Sequence, residues 1–221
     1  MRDNVKVIIA KYTENIDWID ALDYDYVVYD KSNMPVANAR PLVNIGREAH
    51  TYFTHILKEY DQLAAMNIFL QGDPFDHIDD RGRATVETLK NQLVDIVDRA
   101  IPFKGLAWFK LKCDRLGHPH DLRKPENEGR WSGWGRDIPV GEIFERLFSV
   151  TMPKQIIARA PTGNFCVTGD RIRTRPRDFY EFCLRMIEQD PLDENNTGHA
   201  IERLWQHIFN GNMAWNRDFY K

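Results

Sequence analysis

The chain has 221 residues, 43% of them hydrophobic and 29% charged, with a net charge of −3 at neutral pH. That size and apolar content suit one large α/β domain spanning residues 1–221, and the charge balance lacks the basic excess of a nucleic-acid-binding protein. Three cysteines, Cys113, Cys166 and Cys183, without a CxxC spacing, argue against a disulfide framework or a cysteine-based zinc site.

The first apolar run begins after four residues, and no run approaches the roughly 20 residues that span a bilayer. A soluble, cytoplasmic protein with no export signal and no membrane span is therefore expected. "VKVIIA" is β-branched and apolar throughout, as in a strand covered on both faces. "ENIDWIDAL" is a short amphipathic segment, and "YVVYD" a second strand ending on Asp30. Over residues 46–60, Ala49, Tyr52, Phe53, Ile56, Leu57 and Tyr60 recur at helical spacing. "NIFLQ" is the next strand, and Val86, Leu89, Leu93, Ile96, Val97 and Ala100 mark a second long helix. "GLAWFKLKC" reads as one strand, followed by an irregular stretch over about 114–139. "KQIIARA" and "NFCVTG" flank Pro-Thr-Gly and read as a hairpin. Two helices, at about 177–188 and 197–209, close the pattern; "NNT" at Asn195 matches a glycosylation acceptor but reads as the start of the second. Alternating strands and helices imply a mixed, mostly parallel central sheet flanked by helices, with ligands beyond the carboxyl ends of the strands.

The residues at those ends carry the candidate chemistry. Tyr12 follows the first strand, Asp30 ends the second, and "NIGRE" precedes the first long helix. Asn44 suits a cap or turn, Gly46 a close backbone approach, and Arg47 stands where a helix start attracts phosphate. The same stretch also reads as an ordinary capped helix with a solvated Arg-Glu pair. "FLQGDPFDH" breaks from strand to turn, crowding Asp73, Asp76 and His77 together. These three are candidate ligands of a hard divalent cation shared with a phosphate; alternatively, the aspartates cap the turn and His77 packs on the sheet edge. "GRWSGWGRD" sets Trp131 and Trp134 among Gly129, Gly133 and Gly135, either as sugar-stacking aromatics on a lid or as plugs of the core. His118 and His120 in "CDRLGHPHD" could suggest zinc, but with only Cys113 before them they read rather as part of a turn.

Taken together and in order, "VIIAKYTENIDWI", "VVYDKS", "NIGREAHTYFTHILKEYDQLAAMNIFLQGDPFDH", "GNFCVTGDRIRTRPRDFY" and "GHAIERLWQHIF" resemble a domain-of-unknown-function family of fungi, bacteria and large algal viruses. A functional relative of that family is a chlorella-virus glycosyltransferase of capsid-glycan synthesis, and the Asn-x-Gly-Arg-Glu stretch is similar to one in rhamnan-synthesis glycosyltransferases. The resemblance implies a GT-A fold and a hexosyl- or deoxyhexosyltransferase. Its donor would be a nucleotide sugar, uridine-linked, its metal Mn²⁺ or Mg²⁺, and its acceptor a glycan or glycoprotein. It puts Tyr12 and Asp30 at the base and ribose. Asn44, Gly46 and Arg47 fall on the nucleotide-binding helix, and Gln71 and Gly72 beside the metal motif. Asp73, Asp76 and His77 stand where such enzymes carry Asp-x-Asp, from which "QGDPFD" departs. An inverting transferase also needs a carboxylate base. Glu202 in "GHAIERLW" is the candidate, with Asp170 or His199 as substitutes; Glu202 reads equally as half of a surface ion pair. A non-catalytic nucleotide- or sugar-binding module and a metal-dependent hydrolase are the two other readings.

Overall fold

The computed structural model describes residues 4–79, 83–119, 124–125 and 137–210. Its centre is a six-stranded sheet. β1 (Val5–Lys11) pairs in parallel with β2 (Asp25–Asp30) on one side and with β4 (Met66–Gln71) on the other; β3 (Arg40–Pro41) extends the β2 edge, also in parallel. β8 (Phe165–Thr168) is antiparallel to both β4 and β5 (Phe103–Gly105), giving the order β3-β2-β1-β4-β8-β5. β6 (Leu111–Asp114) and β7 (Gln155–Ala158) form a separate antiparallel pair. The helices are α1 (Arg47–Glu59), α2 (Phe75–Ile78), α3 (Val86–Asp98), α4 (Val140–Phe148), α5 (Gly169–Ile172), α6 (Arg177–Glu188) and α7 (Thr197–Ile208). The architecture is α/β, with a mostly parallel central sheet flanked by helices. Among the described residues no helix is long and apolar enough to cross a membrane.

The two-residue period of the strands divides the core. Ile8, Ala10, Phe69, Phe165 and Val167 point into one layer with α1, α4, α6 and α7. Val5, Val7, Ile9, Ile68, Leu70 and Cys166 point into the other, against α3 and the short 3₁₀ turn Ile19–Leu22. Both faces of β1 and β4 are thus covered, which explains their unbroken apolar runs. α3 starts where Thr85 and Thr88 exchange hydrogen bonds across its first turn.

Three expectations need correction. The sequence "GLAWFKLKC" is two strands in two different sheets, because the chain leaves β5 at Leu106, whose N–H bonds to the Asn164 carbonyl. The segments around Pro-Thr-Gly do not pair with each other. β8 is saturated by β4 and β5 on its two edges, so β7 pairs with β6 instead. Within the stretch read as irregular up to 139, little is described; directly after it stands α4, a helix the reading omitted.

The start of α1 is tightly specified. Gly46 adopts φ +56°, and a Cβ there would lie 1.9 Å from Ile187 Cγ2 on α6. Both left-handed strain and the clash oppose any side chain. Gly46→Ala is therefore expected to lose about 2–5 kcal/mol of stability, the sum of a left-handed penalty and an overpacking cost. Equilibrium urea denaturation checks this, and an unchanged midpoint would refute the tight seating.

Candidate functional site

The chain runs β1 to β2 to β3 outward, then crosses back to place β4 on the other side of β1. Ligands of such sheets sit at this reversal, beyond the carboxyl ends of the strands. There the loop after β1 meets the loop after β4. Gly72 N–H bonds to the Ala10 carbonyl at 2.9 Å, and a Cβ on Gly72 would lie 2.7 Å from Glu14 Oε2. Glu14 also accepts the Tyr12 N–H at 2.7 Å, while the Trp18 indole donates to the Gly72 carbonyl at 3.1 Å. Tyr12 itself is 46% exposed beside this crevice.

Asp30 is fully buried, and its carboxylate serves the chain itself. Lys11 Nζ lies 2.9 Å from Oδ2, and the Ser32 and Val36 N–H groups donate to its two oxygens. Burial alone would raise its pKa, but the Ser32, Lys11 and Val36 donors outweigh that and hold it at about 2. In this arrangement Asp30 fastens the loop after β2, with no oxygen open to a ribose. Next to it, the buried Lys31 ammonium donates to the carbonyls of Ile45 (2.7 Å) and Arg47. Burial lowers its pKa to about 8.

α1 therefore begins over a buried cation. Asn44 is exposed and does not cap it; the cap position is Gly46, which has no side chain to bond the first-turn N–H groups. Arg47 follows at φ +52°, an uncommon conformation for a side-chain-bearing residue that concentrates at functional sites. Its Nε lies 3.8 Å from Glu48, and its Cδ would lie 3.3 Å from a Cβ on Gly198 of α7. The Arg47–Glu48 pair is half-buried against α7 rather than solvated.

Glu48 links two networks. Its Oε1 accepts from Gln71 Nε2 at 2.5 Å, and Gln71 exchanges two further bonds with the Asn164 side chain, which also reaches Thr162. From the helical layer comes Glu202, with a side chain only 15% exposed. Burial pushes its carboxyl up to about 8, the Glu48 carboxylate adds to the rise, and Arg203 and Arg47 pull against it. The Tyr52 hydroxyl, within the field of the same two glutamates, is buried without a hydrogen-bond partner among the described residues. Asp193 Oδ2 lies 2.5 Å from His199 Nδ1, and Asp193 Oδ1 accepts the Gly198 N–H, tying the start of α7 to this cluster.

The structure thus brings Arg47, Gln71 and Glu202 together with His199, one of the two substitute bases, and adds Glu48, Asn164 and Asp193, to which sequence reasoning gave no site role. It leaves Asp73, Asp76 and His77 in the neighbouring turn. Asp73 is exposed and accepts the Phe75 N–H at 3.2 Å; Asp76 is exposed on α2; His77 is half-buried, its carbonyl taken by the Trp108 N–H. Among the described residues no three acidic, histidine or cysteine side chains converge as a metal site. Asp73 and Asp76 offer two carboxylates on one turn, which fits a cation whose remaining ligands are diphosphate oxygens and water but not an all-protein cage. Asp170, the other substitute base, pairs with Arg173 after β8, at the opposite end of the sheet. Trp131, Trp134, Gly129, Gly133, Gly135 and His120 lie outside the described residues. His118 sits between Asp114 and Asp137.

A cavity of about 470 Å³ also opens at the amino ends of β1 and β2. Its charges are already matched in pairs, Lys6 with Asp25 and Arg40 with Glu59, so it offers less unsatisfied chemistry than the carboxyl ends.

The fold is an α/β sheet flanked by helices, with a polar cluster at its point of reversal. The chain belongs to the family described as "Protein of unknown function (DUF3431)", whose pattern matches residues 7–219. No curated protein and no solved structure matches it.

The raised Glu202 pKa has a consequence for stability. The folded state holds this proton more tightly than the unfolded chain, so its contribution is fully present below about pH 4.5 and is lost as pH rises through about 8. Glu202→Gln cannot ionise. Its melting temperature relative to the parent is expected to climb between pH 5 and pH 8 and then level off. A pH-independent difference would show that Glu202 is not held protonated.

Proposed function

We propose that the protein is a GT-A type glycosyltransferase that moves a sugar from a nucleotide diphosphate, uridine-linked, to a glycan or glycoprotein acceptor. The observation that carries this reading is the meeting of Arg47, on an uncapped helix start, with the enclosed Glu202 carboxyl at the reversal point of the sheet. Glycosyl transfer needs charge stabilisation on a departing diphosphate and a base for the acceptor hydroxyl. The first-turn N–H groups of α1 and the Arg47 guanidinium supply the former. Tyr12, exposed across the crevice, offers its ring to the base. Glu202 takes the proton: enclosure makes its carboxylate more basic than a solvated one, at the cost of being mostly protonated at neutral pH. Gln71 and Asn164 hold Glu48 in place beside it. Asp73 and Asp76, with His77 in the same turn, would hold a Mn²⁺ or Mg²⁺ ion shared with the diphosphate. Such an ion, when bound, neutralises developing negative charge on the leaving group.

Calorimetric titration with UDP, in Mn²⁺ and after exhaustive chelation, tests the donor half. UDP is expected to bind at least about tenfold more tightly with the ion, as a shared ligand set implies. Equal affinity after chelation would remove the ion from the reading, and no affinity for UDP in either condition would remove the nucleotide. Asp73 and Asp76 should also differ. The variant that removes a direct ligand of the ion should lose most of the metal-dependent gain in affinity, whereas the one that removes only a turn bond should lose about 1 kcal/mol of stability, as for a cap.

The base is tested separately. Transfer should increase with pH up to about 8 as Glu202 gives up its proton. Glu202→Gln should keep UDP affinity, lower transfer by roughly 100-fold or more and flatten that pH profile. Undiminished transfer by folded Glu202→Gln protein would move the role to His199 or to a mechanism without a base.

A further inference from the structure

β5 is the outer strand of the six-stranded sheet, and a groove of about 600 Å³ runs along it. Among the described residues, five cationic side chains line this groove, Arg99, Lys104, Lys110, Arg159 and Arg171, against the single carboxylate of Asp95. In a chain whose net charge is −3, that concentration of one sign on one face creates a local positive field. Asp95 is already engaged by Arg99 at 3.2 Å. Lys104 and Lys110 are both exposed, and neither pairs with a carboxylate among the described residues.

The groove also contains Trp108, 55% exposed. Its position is fixed from two sides. The Trp108 N–H bonds to the His77 carbonyl at 3.0 Å, and its ring meets Phe109 edge-on with centroids 5.1 Å apart. Two residues earlier, the Leu106 N–H bonds to the carbonyl of Asn164, whose side chain belongs to the polar cluster at the strand ends. The same backbone therefore runs from the candidate site, past an exposed indole, to a row of cations. Gly105 permits this close passage, since a Cβ there would strike the Arg159 carbonyl at 1.9 Å.

We propose that this groove holds the acceptor, and that the acceptor is an acidic glycan. One sugar ring packs its apolar face on Trp108, and carboxylate or sulfate groups along the chain pair with Lys104 and Lys110. The word acceptor rests on the transferase reading above; the ligand class rests on the groove. Among the described lining residues Trp108 is the one exposed aromatic, since Phe103 is half-buried and packs on the core, whereas grooves for single-stranded nucleic acid stack successive bases on several aromatics. An amphipathic indole beside exposed ammonium groups suits a saccharide, which presents an apolar face and polar rim together.

Titration calorimetry with hexagalacturonate, a heparin hexasaccharide, cellohexaose and a thymidine hexanucleotide tests this on the full chain. At least one acidic hexasaccharide is expected to bind about tenfold or more tightly than cellohexaose, with affinity falling as salt rises. Which of the two binds separates carboxylate from sulfate recognition. The double variant K104E/K110E should lose about tenfold or more of that affinity and most of the salt dependence. Trp108→Ala should weaken binding about fivefold with the salt dependence intact. Both variants should melt with the parent protein and bind UDP unchanged. Equal affinity for acidic and neutral hexasaccharides, undiminished binding by folded K104E/K110E, or tighter binding of the hexanucleotide would each overturn the proposal. Failure of glycan binding alongside intact UDP binding removes the groove assignment alone. Glycan binding that depends on Lys104 and Lys110 without any UDP binding supports the groove and removes the transferase reading.

Discussion

The seating of Gly46 against Ile187 governs much of the molecule. α1 can start where it does only because the residue before Arg47 has no side chain, and that start determines which residues face the strand ends. Lys31 secures the same turn from beneath, donating to the Ile45 and Arg47 carbonyls from a buried position. Placing an ammonium there costs solvation, and two carbonyl acceptors offset part of that cost. The left-handed Arg47 adds strain of order 1–3 kcal/mol, which persists only where surrounding packing determines the conformation. Here that packing is the contact of α1 with α6 and α7.

On this foundation the molecule collects charge in an enclosed place. Glu48, Glu202 and Asp193 approach one another with Arg47 and Arg203 among them. A core designed for stability alone would use apolar side chains at such positions, because buried ion clusters seldom repay their desolvation. The buried Tyr52 hydroxyl, with no hydrogen-bond partner among the described residues, belongs to the same expense. By contrast, Asp30 and Asp190 are fully engaged by their own loops, and the donors from Ser32 and from Thr197 with Asn195 hold their pKa values down against burial. The difference separates carboxylates that loop donors hold ionised from Glu202, whose burial favours the protonated form.

The sequence made the scaffold legible where periodicity was strong. β1, β2, β4, α1, α3, α6 and α7 follow from unbroken apolar runs or helical spacing, and their order implied the parallel sheet. What it concealed was pairing. "NFCVTG" gives no sign that both of its edges are taken by β4 and β5, and Pro-Thr-Gly looks like any hairpin turn. α4 was legible too, through Val140, Ile143, Phe144, Leu147 and Phe148 at helical spacing, but the glycine-rich run before it obscured the pattern. At the site, Arg47 was singled out by its place at a helix start, whereas Gln71 and Glu202 rested on the resemblance of "FLQGDPFDH" and "GHAIERLW". Glu48 was read as a solvated neighbour of Arg47, because a local pattern cannot show that α7 covers it. Asp30 was read as a ligand residue, since nothing in "VVYDKS" reveals that Lys11 and two backbone N–H groups claim its oxygens.

In the proposed reaction a nucleotide diphosphate would enter at the carboxyl ends of the parallel strands, not at the cavity beneath their amino ends. Hydrogen–deuterium exchange with and without UDP and Mn²⁺ tests it directly. The account predicts slowed exchange at residues 12–14, 45–50 and 71–77, with residues 4–6, 25–28 and 38–40 unchanged. Protection confined to the latter three segments would contradict it.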